Sequence, residues 1–144
     1  MSRFRKLSQV LWHCQYHLIW TPKYRYRVLD GAVGHEVVSC IEIFCGQKGC
    51  EVLELNVQRD HIHLLVMVPP KVSISGLIGI LKGRTAIRVF QKFPHLKQKP
   101  YWGNHFWVPG YCVDTVGLNA EMIRSYVKHQ EKQERGQEQL ALNL

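Results

Sequence analysis

Apolar and polar positions alternate in two stretches of the chain, and a third stretch is apolar throughout. Residues 12–20 carry aromatic and aliphatic side chains with polar ones between them, and Thr21-Pro22 ends that pattern. Residues 51–57 alternate in the same way, whereas residues 63–68 form a continuous run that is typical of a buried strand. We therefore expect three strands, the second and third joined through Gln58-Arg59-Asp60.

Helical spacing of apolar residues marks two further stretches. In residues 33–48 the apolar side chains recur at helical intervals, and Gly49 follows where a helix-ending glycine is expected. Residues 73–93 predict a second helix, but its apolar positions before Gly79 do not line up with those after Gly83. We expect a kink or break between these two glycines.

The end of the chain is less regular. Residues 101–113 are rich in aromatic side chains and are broken by glycine and proline, which favours a short strand or a hairpin. Residues 114–118 link this segment to a final helix, for which Asn119 is a good N-cap. One broad face of that helix carries Met122, Ile123, Tyr126, Val127 and Gln130. Residues 136–144 are expected to form a flexible tail.

The order strand, helix, strand, strand, helix, strand, helix predicts an α+β fold. It matches a ferredoxin-like plan, a mostly antiparallel sheet with helices on one side, here followed by an additional C-terminal helix. The chain has 144 residues, the length of one domain with a real core. We expect residues 1–135 to form that single domain.

Composition narrows the class of protein. Hydrophobic residues make up 46% and charged residues 21%, which excludes a disordered or fibrous protein. The first ten residues lack the apolar core of a signal peptide, and no apolar run is long enough to span a membrane, so a cytoplasmic location is expected. The five cysteines are an odd number without a Cys-x-x-Cys pair, which predicts free thiols rather than disulfides.

The formal net charge of +8 is unevenly distributed. Residues 1–29 and 71–113 contain no acidic residue, a pattern that favours a polyanionic partner such as nucleic acid over a merely solvated basic surface. Residues 23–27 interleave cations with tyrosines, which suits phosphate contact and base stacking but also a basic turn that covers the core. The candidate DNA-binding residues are Lys23, Arg25, Arg27, Lys82, Arg84, Arg88 and Lys92, of which the last three form a stripe along the second helix.

Two histidines at the start of the apolar strand are candidate metal ligands. His61 and His63 are two positions apart, so a strand presents both imidazoles on one face. Chance alone gives about 0.4 such pairs in a chain with 8 histidines, so half-buried structural histidines are an open alternative. Tyr126 and Gln130 are four apart on the last helix and share a face, and the amide oxygen of Gln130 is a neutral metal ligand. Tyr126 alone is more typical of a core tyrosine with its hydroxyl at the edge.

Taken together, these motifs resemble the HUH endonucleases, and among them the single-tyrosine transposases of the insertion sequence 200-like family with its REP-associated relatives. His61-Ile62-His63 is similar to their His-hydrophobe-His signature. The resemblance covers about residues 10–133. The other matching motifs are Thr21-Pro22-Lys23-Tyr24-Arg25, Tyr101-Trp102-Gly103-Asn104, Phe106-Trp107, Gly110-Tyr111, Val113-Asp114-Thr115-Val116 and Tyr126-x-x-x-Gln130.

This resemblance implies a mechanism. His61, His63 and Gln130 would hold one Mg²⁺ or Mn²⁺, and Tyr126 would attack the scissile phosphate to give a 5′-phosphotyrosine. The implied substrate is single-stranded DNA with hairpin ends. The implied assembly is a homodimer, an arrangement that allows the tyrosine helix of one subunit to complete the site of the other.

Three other functions remain to be weighed. A carboxylate-based nuclease needs clustered acids, and three aspartates in the chain make that class unfavourable. A domesticated relative would nick or bind repetitive chromosomal hairpins with the same active site. A non-enzymatic nucleic-acid-binding domain would instead use His61, His63, Cys14 or Cys112 to hold a structural zinc.

Overall fold

The computed structural model describes residues 5–7, 10–98 and 105–115. The chain divides into two compact units, one of which is Cys14–Thr115 and the other Met1–His13 with Val116–Leu144. In the second unit the described part is an antiparallel hairpin of β1 (Arg5–Leu7) and β2 (Val10–Trp12). The sequence pattern does not predict this hairpin, and it wrongly assigns Trp12 to the strand that follows.

The unit Cys14–Thr115 is built on a four-stranded antiparallel sheet. Its strands are β3 (Gln15–Trp20), β4 (Glu51–Gln58), β5 (His61–Met67) and β6 (Cys112–Thr115). Their spatial order is β4-β5-β3-β6. Helix α1 (Gly31–Gln47) connects β3 to β4, and helix α2 (Ile74–Lys92) lies between β5 and β6. This order confirms the ferredoxin-like α+β fold.

One face of the sheet forms the core with both helices. On β3 and β5, the residues Leu18, Ile62, Leu64 and Val66 are fully buried and alternate with partly exposed neighbours. Each such side chain contributes about 1.5–3 kcal/mol by leaving water. The helices supply the opposing surface through Val37, Ile41, Leu77 and Leu81. Because one face is buried, the strand register is strongly specified.

Helix α1 has clear start and stop signals. Its N-cap is Asp30, whose side chain accepts a hydrogen bond from the Gly31 backbone N–H at 3.0 Å. After the helix, Gly49 has a φ of 72°, and the Cys50 N–H donates back to the Cys45 carbonyl at 2.9 Å. The predicted glycine stop is confirmed.

Helix α2 runs without interruption from Ile74 to Lys92, so the predicted break is wrong. Its buried stripe passes through Leu77, Leu81, Thr85 and Val89 at four-residue intervals. Thr85 is fully buried, and its hydroxyl hydrogen-bonds the Leu81 carbonyl. A pattern restricted to apolar residues skips this threonine, and that omission makes two halves of one stripe look misaligned.

The segment before β6 pairs with the end of β3. Trp107 bridges Pro22, and the Lys23 N–H donates to the Phe106 carbonyl at 2.8 Å. Strand β6 then extends to Thr115, so Asp114 and Thr115 belong to a strand rather than to the predicted link.

The predicted C-terminal helix, with Tyr126 and Gln130, lies outside the described residues, as does the tail 136–144. Both stay predictions, and so does a single domain over residues 1–135. Neither of the two helices described above is long and apolar enough to cross a membrane.

Candidate metal centre on the open sheet face

His61 and His63 lie on the sheet face that the helices leave open. They alternate along β5 with Ile62, which is fully buried on the helix side. Their ring centroids are 4.8 Å apart and nearly perpendicular, at 78°. The strand alternation therefore brings the two imidazoles together, as adjacent ligands of one ion require.

The ring of His61 is held by the residue that precedes it. Its Nδ1 lies 2.7 Å from Oδ1 of Asp60, and Oδ2 of Asp60 accepts a hydrogen bond from Nη2 of Arg25 at 3.0 Å. The hydrogen bond to His61, together with the Arg25 charge, lowers the pKa of Asp60 below its ordinary value. An ionised carboxylate only accepts, so His61 Nδ1 carries the proton and Nε2 is left available to a metal.

The ring of His63 is held from the neighbouring strand. Its Nδ1 lies 3.1 Å from Nε2 of His17, and the two rings stack with centroids 5.2 Å apart. Burial lowers the pKa of His63, and the charges of His61 and His17 lower it further. A neutral imidazole is the form that binds a metal, and again Nε2 is the nitrogen without a bond to the protein in the described residues.

A cavity of about 370 Å³ opens beside His63. It is lined by His17, Glu54, Asn56, His63 and Leu65, which all belong to the open face of the sheet. Its volume is in the range of small-molecule sites. A cavity of ligand size therefore lies next to the histidine pair.

The donor set fits a divalent cation but is incomplete within the described part of the chain. Two neutral imidazole nitrogens suit Mn²⁺ better than Mg²⁺. No group of three or more His, Cys, Asp or Glu side chains is arranged there to hold a metal. A cation bound here would need a further ligand from another part of the chain. In the described residues, His61, His63, Cys14 and Cys112 do not form the complete ligand set that a structural zinc requires.

The basic turn after β3 lies next to this centre through Arg25. Lys23–Arg25 form one 3-10 turn, in which Tyr24 and Arg25 have φ values of 57° and 52°. The Tyr24 ring is 61% exposed, whereas Tyr26 packs against the core. Tyr24 is therefore exposed enough for base stacking, whereas Tyr26 covers the core, so each tyrosine fits one of the two interpretations of residues 23–27. Arg27 is exposed.

The cations of α2 have different surroundings. Lys82 Nζ donates to the carbonyls of Val108 and Gly110, both at 2.8 Å, and burial lowers its pKa. Lys92 Nζ lies 2.8 Å and Arg88 Nη1 3.8 Å from the carboxylate of Glu36 on α1. Arg84 is exposed. The stripe exists on the surface, but a carboxylate partly neutralises it.

His17 and Asp60 take part in the site although the motif search assigns no role to either. Asp60 directly precedes His61, so its proximity is visible in the sequence. His17 is not close in sequence, but Gln15 and His17 are polar at alternate positions of β3, which marks the open face. Pairing β3 with β5 is the signal that would have found it.

Comparisons with known proteins agree with this architecture. The crystal structure of a protein from Deinococcus radiodurans assigned as a transposase superposes with a TM-score of 0.73 at 37% identity, covering 88% of this chain and 97% of that one. A REP-associated tyrosine transposase bound to a REP hairpin gives a TM-score of 0.50 at 15% identity, covering 94% of this chain and 75% of that one, which is a likeness of fold alone.

Sequence relatives are similar over nearly the whole chain. The transposase for insertion sequence element IS200 from Salmonella typhimurium is 38% identical over 142 residues, covering 99% of this chain and 93% of the relative. The ISDra2 transposase TnpA from Deinococcus radiodurans is 38% identical over 125 residues, covering 86% of this chain and 89% of that protein.

The fold, with a histidine pair on its open face, and these relatives together define a transposase. The profile of the IS200-like transposases matches residues 10–130. The chain belongs to the IS200-like transposase family.

Proposed function

We propose that this transposase cleaves and rejoins single-stranded DNA at the ends of an insertion sequence through a 5′-phosphotyrosine intermediate. The observation that carries the proposal is the arrangement of His61 and His63. Both rings are tied through Nδ1 on the open sheet face, which leaves two Nε2 atoms for one divalent cation.

Each residue has a distinct role in the proposed reaction. His61, His63 and Gln130 would hold Mg²⁺ or Mn²⁺, which would supply Lewis acidity toward the scissile phosphate. The phenol of Tyr126 gives up its proton to solvent and its oxygen attacks the phosphorus, the bond from phosphorus to the 3′ oxygen breaks, and the departing 3′ oxygen takes up a proton from solvent to leave as a free 3′-hydroxyl. Rejoining reverses these steps with another 3′-hydroxyl, so the phosphodiester linkage is kept without ATP.

The proposed DNA partner is a single strand whose ends fold into hairpins. The exposed Tyr24 offers a surface for base stacking, and Lys23, Arg25 and Arg27 supply positive charge in and after the same turn, which Arg25 connects to His61 through Asp60. The REP-associated tyrosine transposase is bound to a REP hairpin in its solved structure, which supports hairpin DNA as the proposed substrate class. We further propose that the protein is a homodimer. In it, the helix that carries Tyr126 completes the metal site either of its own subunit or of the partner subunit.

A domesticated hairpin-nicking protein is the second candidate. It would use the same centre and would differ in lacking strand transfer between element ends. The genomic setting distinguishes the two candidates: an absence of flanking element ends would favour the domesticated protein.

The test is formation of a covalent protein–DNA adduct. Full-length protein is incubated with Mn²⁺ or Mg²⁺ and single-stranded DNA that carries candidate hairpin ends, and products are separated on denaturing gels. We expect an adduct that is lost in Tyr126→Phe and in His61→Ala. Duplex DNA of the same sequence is expected to remain uncut.

Matched variants control for general damage. Tyr111→Phe removes a hydroxyl from an exposed tyrosine, and His35→Ala removes an exposed imidazole from α1. Both should form the adduct at the wild-type rate. An undiminished adduct in Tyr126→Phe would refute the nucleophile assignment, and one in His61→Ala would refute the metal centre.

A further inference from the structure

We infer that His17 is a positioning residue for His63: it accepts the Nδ1 proton of His63 across the sheet and so keeps the Nε2 atom of His63 directed at the metal. This inference rests on the proposed function, because it assumes that His63 binds an ion. It assigns a role to a residue that lies 46 positions away in the sequence.

The geometry supports an acceptor role rather than coincidental packing. His17 lies on β3 opposite Leu65, and His63 lies on β5 opposite Ile19, so the two histidines are diagonal neighbours on the same face. Their stacked rings at 29° and the 3.1 Å separation of nitrogens fix the orientation of both. Diagonal pairs are within reach only of long or aromatic side chains.

Proton bookkeeping decides the direction of this hydrogen bond. A neutral imidazole has one protonated and one unprotonated nitrogen. If His63 is to bind a metal through Nε2, its proton must be on Nδ1, and His17 Nε2 must then be the acceptor. His17 therefore carries its own proton on Nδ1, the opposite tautomer from the one in which it would donate to His63.

His17 is not itself a ligand in this arrangement. Its Nε2 points at His63 Nδ1 and is occupied by that contact. Among the described residues, no group of three or more His, Cys, Asp or Glu side chains is arranged to hold a metal, and this includes the three histidines. The centre thus has two ligand rings, each with a partner behind it: a carboxylate for His61 and an imidazole for His63.

The choice of a neutral partner has an electrostatic consequence. Asp60 brings a negative charge behind His61, but Arg25 balances it at 3.0 Å. A carboxylate behind His63 would add a second negative charge and would repel the phosphate that the proposed site has to bind. An imidazole holds the ring in place without adding charge.

Two substitutions separate the hydrogen bond from the packing. His17→Phe keeps an aromatic ring against His63 but removes the acceptor. His17→Gln replaces the ring by an amide whose oxygen can reach about the position of Nε2 and accept the proton. His35→Phe, on the exposed surface of α1, is the matched control.

The first measurement is Mn²⁺ affinity, followed in the full-length protein by the electron paramagnetic resonance signal of free Mn²⁺. Loss of an outer partner of a metal-binding histidine typically lowers affinity by about 10–100-fold. We expect a loss of that order in His17→Phe, recovery of most of it in His17→Gln, and no change in His35→Phe.

Two spectroscopic readouts test the role directly. Pulsed electron paramagnetic resonance of bound Mn²⁺ should detect two imidazole nitrogens coordinated to the ion in wild type and in His17→Gln. Nitrogen-15 NMR of the metal-free wild type should find the His63 proton on Nδ1, and this readout does not depend on any variant folding.

The outcomes distinguish the inference from the function beneath it. If His63→Ala loses Mn²⁺ binding and His17→Phe does not, the positioning role is wrong while the proposed function stands. Three bound imidazoles in wild type, or a His63 proton on Nε2, would likewise overturn the inference. If wild type binds no Mn²⁺, or His63→Ala binds as well as wild type, both are overturned.

Discussion

Tyr24 and Arg25 occupy left-handed backbone conformations that side chains other than glycine rarely adopt. Each such residue costs on the order of 1 kcal/mol or more, and such strain concentrates at functional sites. Contacts that tie the turn to other parts of the chain include the Lys23 N–H, which donates to the Phe106 carbonyl, and the Arg25 guanidinium, which binds Asp60. The strain thus serves to bring Arg25 behind the carboxylate that orients His61.

Two substitutions at Tyr24 should therefore separate backbone strain, which affects stability, from base stacking, which affects DNA binding. Tyr24→Gly relieves the left-handed strain and removes a ring that is 61% exposed. We expect the free energy of unfolding to be about 1 kcal/mol higher than in Tyr24→Ala, because glycine adopts positive φ without cost. Urea denaturation measures this difference.

Binding of single-stranded DNA, measured by fluorescence anisotropy, should weaken equally in both variants. Loss of one stacked base is worth about 1–3 kcal/mol. Unchanged affinity in both would show that the Tyr24 ring does not contact DNA. Equal stability of the glycine and alanine variants would show that the backbone strain is not real.

At the residue scale, the sequence predicts the histidine pair but not its support. His-x-His is visible because strand alternation relates residues two apart. The contact between His17 and His63 depends on which strands pair and in which register, and neither is encoded locally. The left-handed turn is also hidden, since neither Tyr24 nor Arg25 is a residue type that signals positive φ.

At the element scale, Glu36 links the two helices. Its carboxylate on α1 is only 10% exposed and accepts a hydrogen bond from Lys92 on α2, with Arg88 nearby. The hydrogen bond from Lys92 lowers the pKa of Glu36, although burial opposes this shift. The same contact withdraws positive charge from the α2 stripe.

Glu36→Gln should lower stability and raise DNA affinity. We expect a loss of about 0.5–1 kcal/mol in the free energy of unfolding at pH 7, because one partner of two ion pairs is removed. Arg88 and Lys92 are then available to phosphates, so the affinity for single-stranded DNA should rise. Glu42→Gln, an exposed position on α1, is the control and should change neither.

The pH dependence of this effect has a defined sign. The pKa of Glu36 is lower in the folded state than its ordinary value of 4.5, so its contribution is fully present above that value. It is lost as pH falls through the lower folded pKa. The stability difference between wild type and Glu36→Gln should therefore persist at pH 7 and shrink in acid; a difference that grows in acid would contradict the assignment.

The elements themselves illustrate how far periodicity reaches. Both helices of the unit Cys14–Thr115 are found at the predicted places, since their stripes face one core. The supposed break in α2 arises from a buried polar residue, Thr85, whose hydroxyl is satisfied by the Leu81 carbonyl and also accepts from the Trp107 indole at 3.2 Å. A hydrophobic pattern predicts that such a polar residue is exposed, because the sequence does not show its hydrogen-bond partners.

At the scale of the whole molecule, the net charge of +8 predicts binding that weakens with salt. For single strands, the slope of log affinity against log salt is about −0.7 for each phosphate contact. Removal of one contacting cation should therefore make the slope shallower by about 0.7. This quantity tests which cations of the sequence reach DNA.

We expect Arg27→Ala and Arg84→Ala to reduce the slope, because both guanidinium groups are exposed. Lys82→Met should leave it nearly unchanged, since its ammonium is engaged by the carbonyls of Val108 and Gly110. Lys48→Ala, on the exposed end of α1, is the control. A reduced slope in Lys82→Met would show that this lysine leaves its carbonyls to bind phosphate.

The topology of the unit Cys14–Thr115 could be predicted because the order of its elements permits few arrangements. The β1–β2 hairpin could not, since strands of three residues are too short for a periodic signal. The residues of the proposed site differ in the same respect. The pairing of His61 and His63 could be predicted from the alternation of one strand, whereas the roles of Tyr126 and Gln130 rest on the family motif.

The contact between His17 and His63 also depends on the correct register between β3 and β5. A slip of one residue between β3 and β5 would turn His17 toward the helices and leave His63 without its partner. During synthesis β3 emerges well before β5, so the contact between His17 and His63 forms only after the two strands have paired in register. The histidine pair of this transposase therefore gains its partner on β3 only when the sheet is correctly assembled.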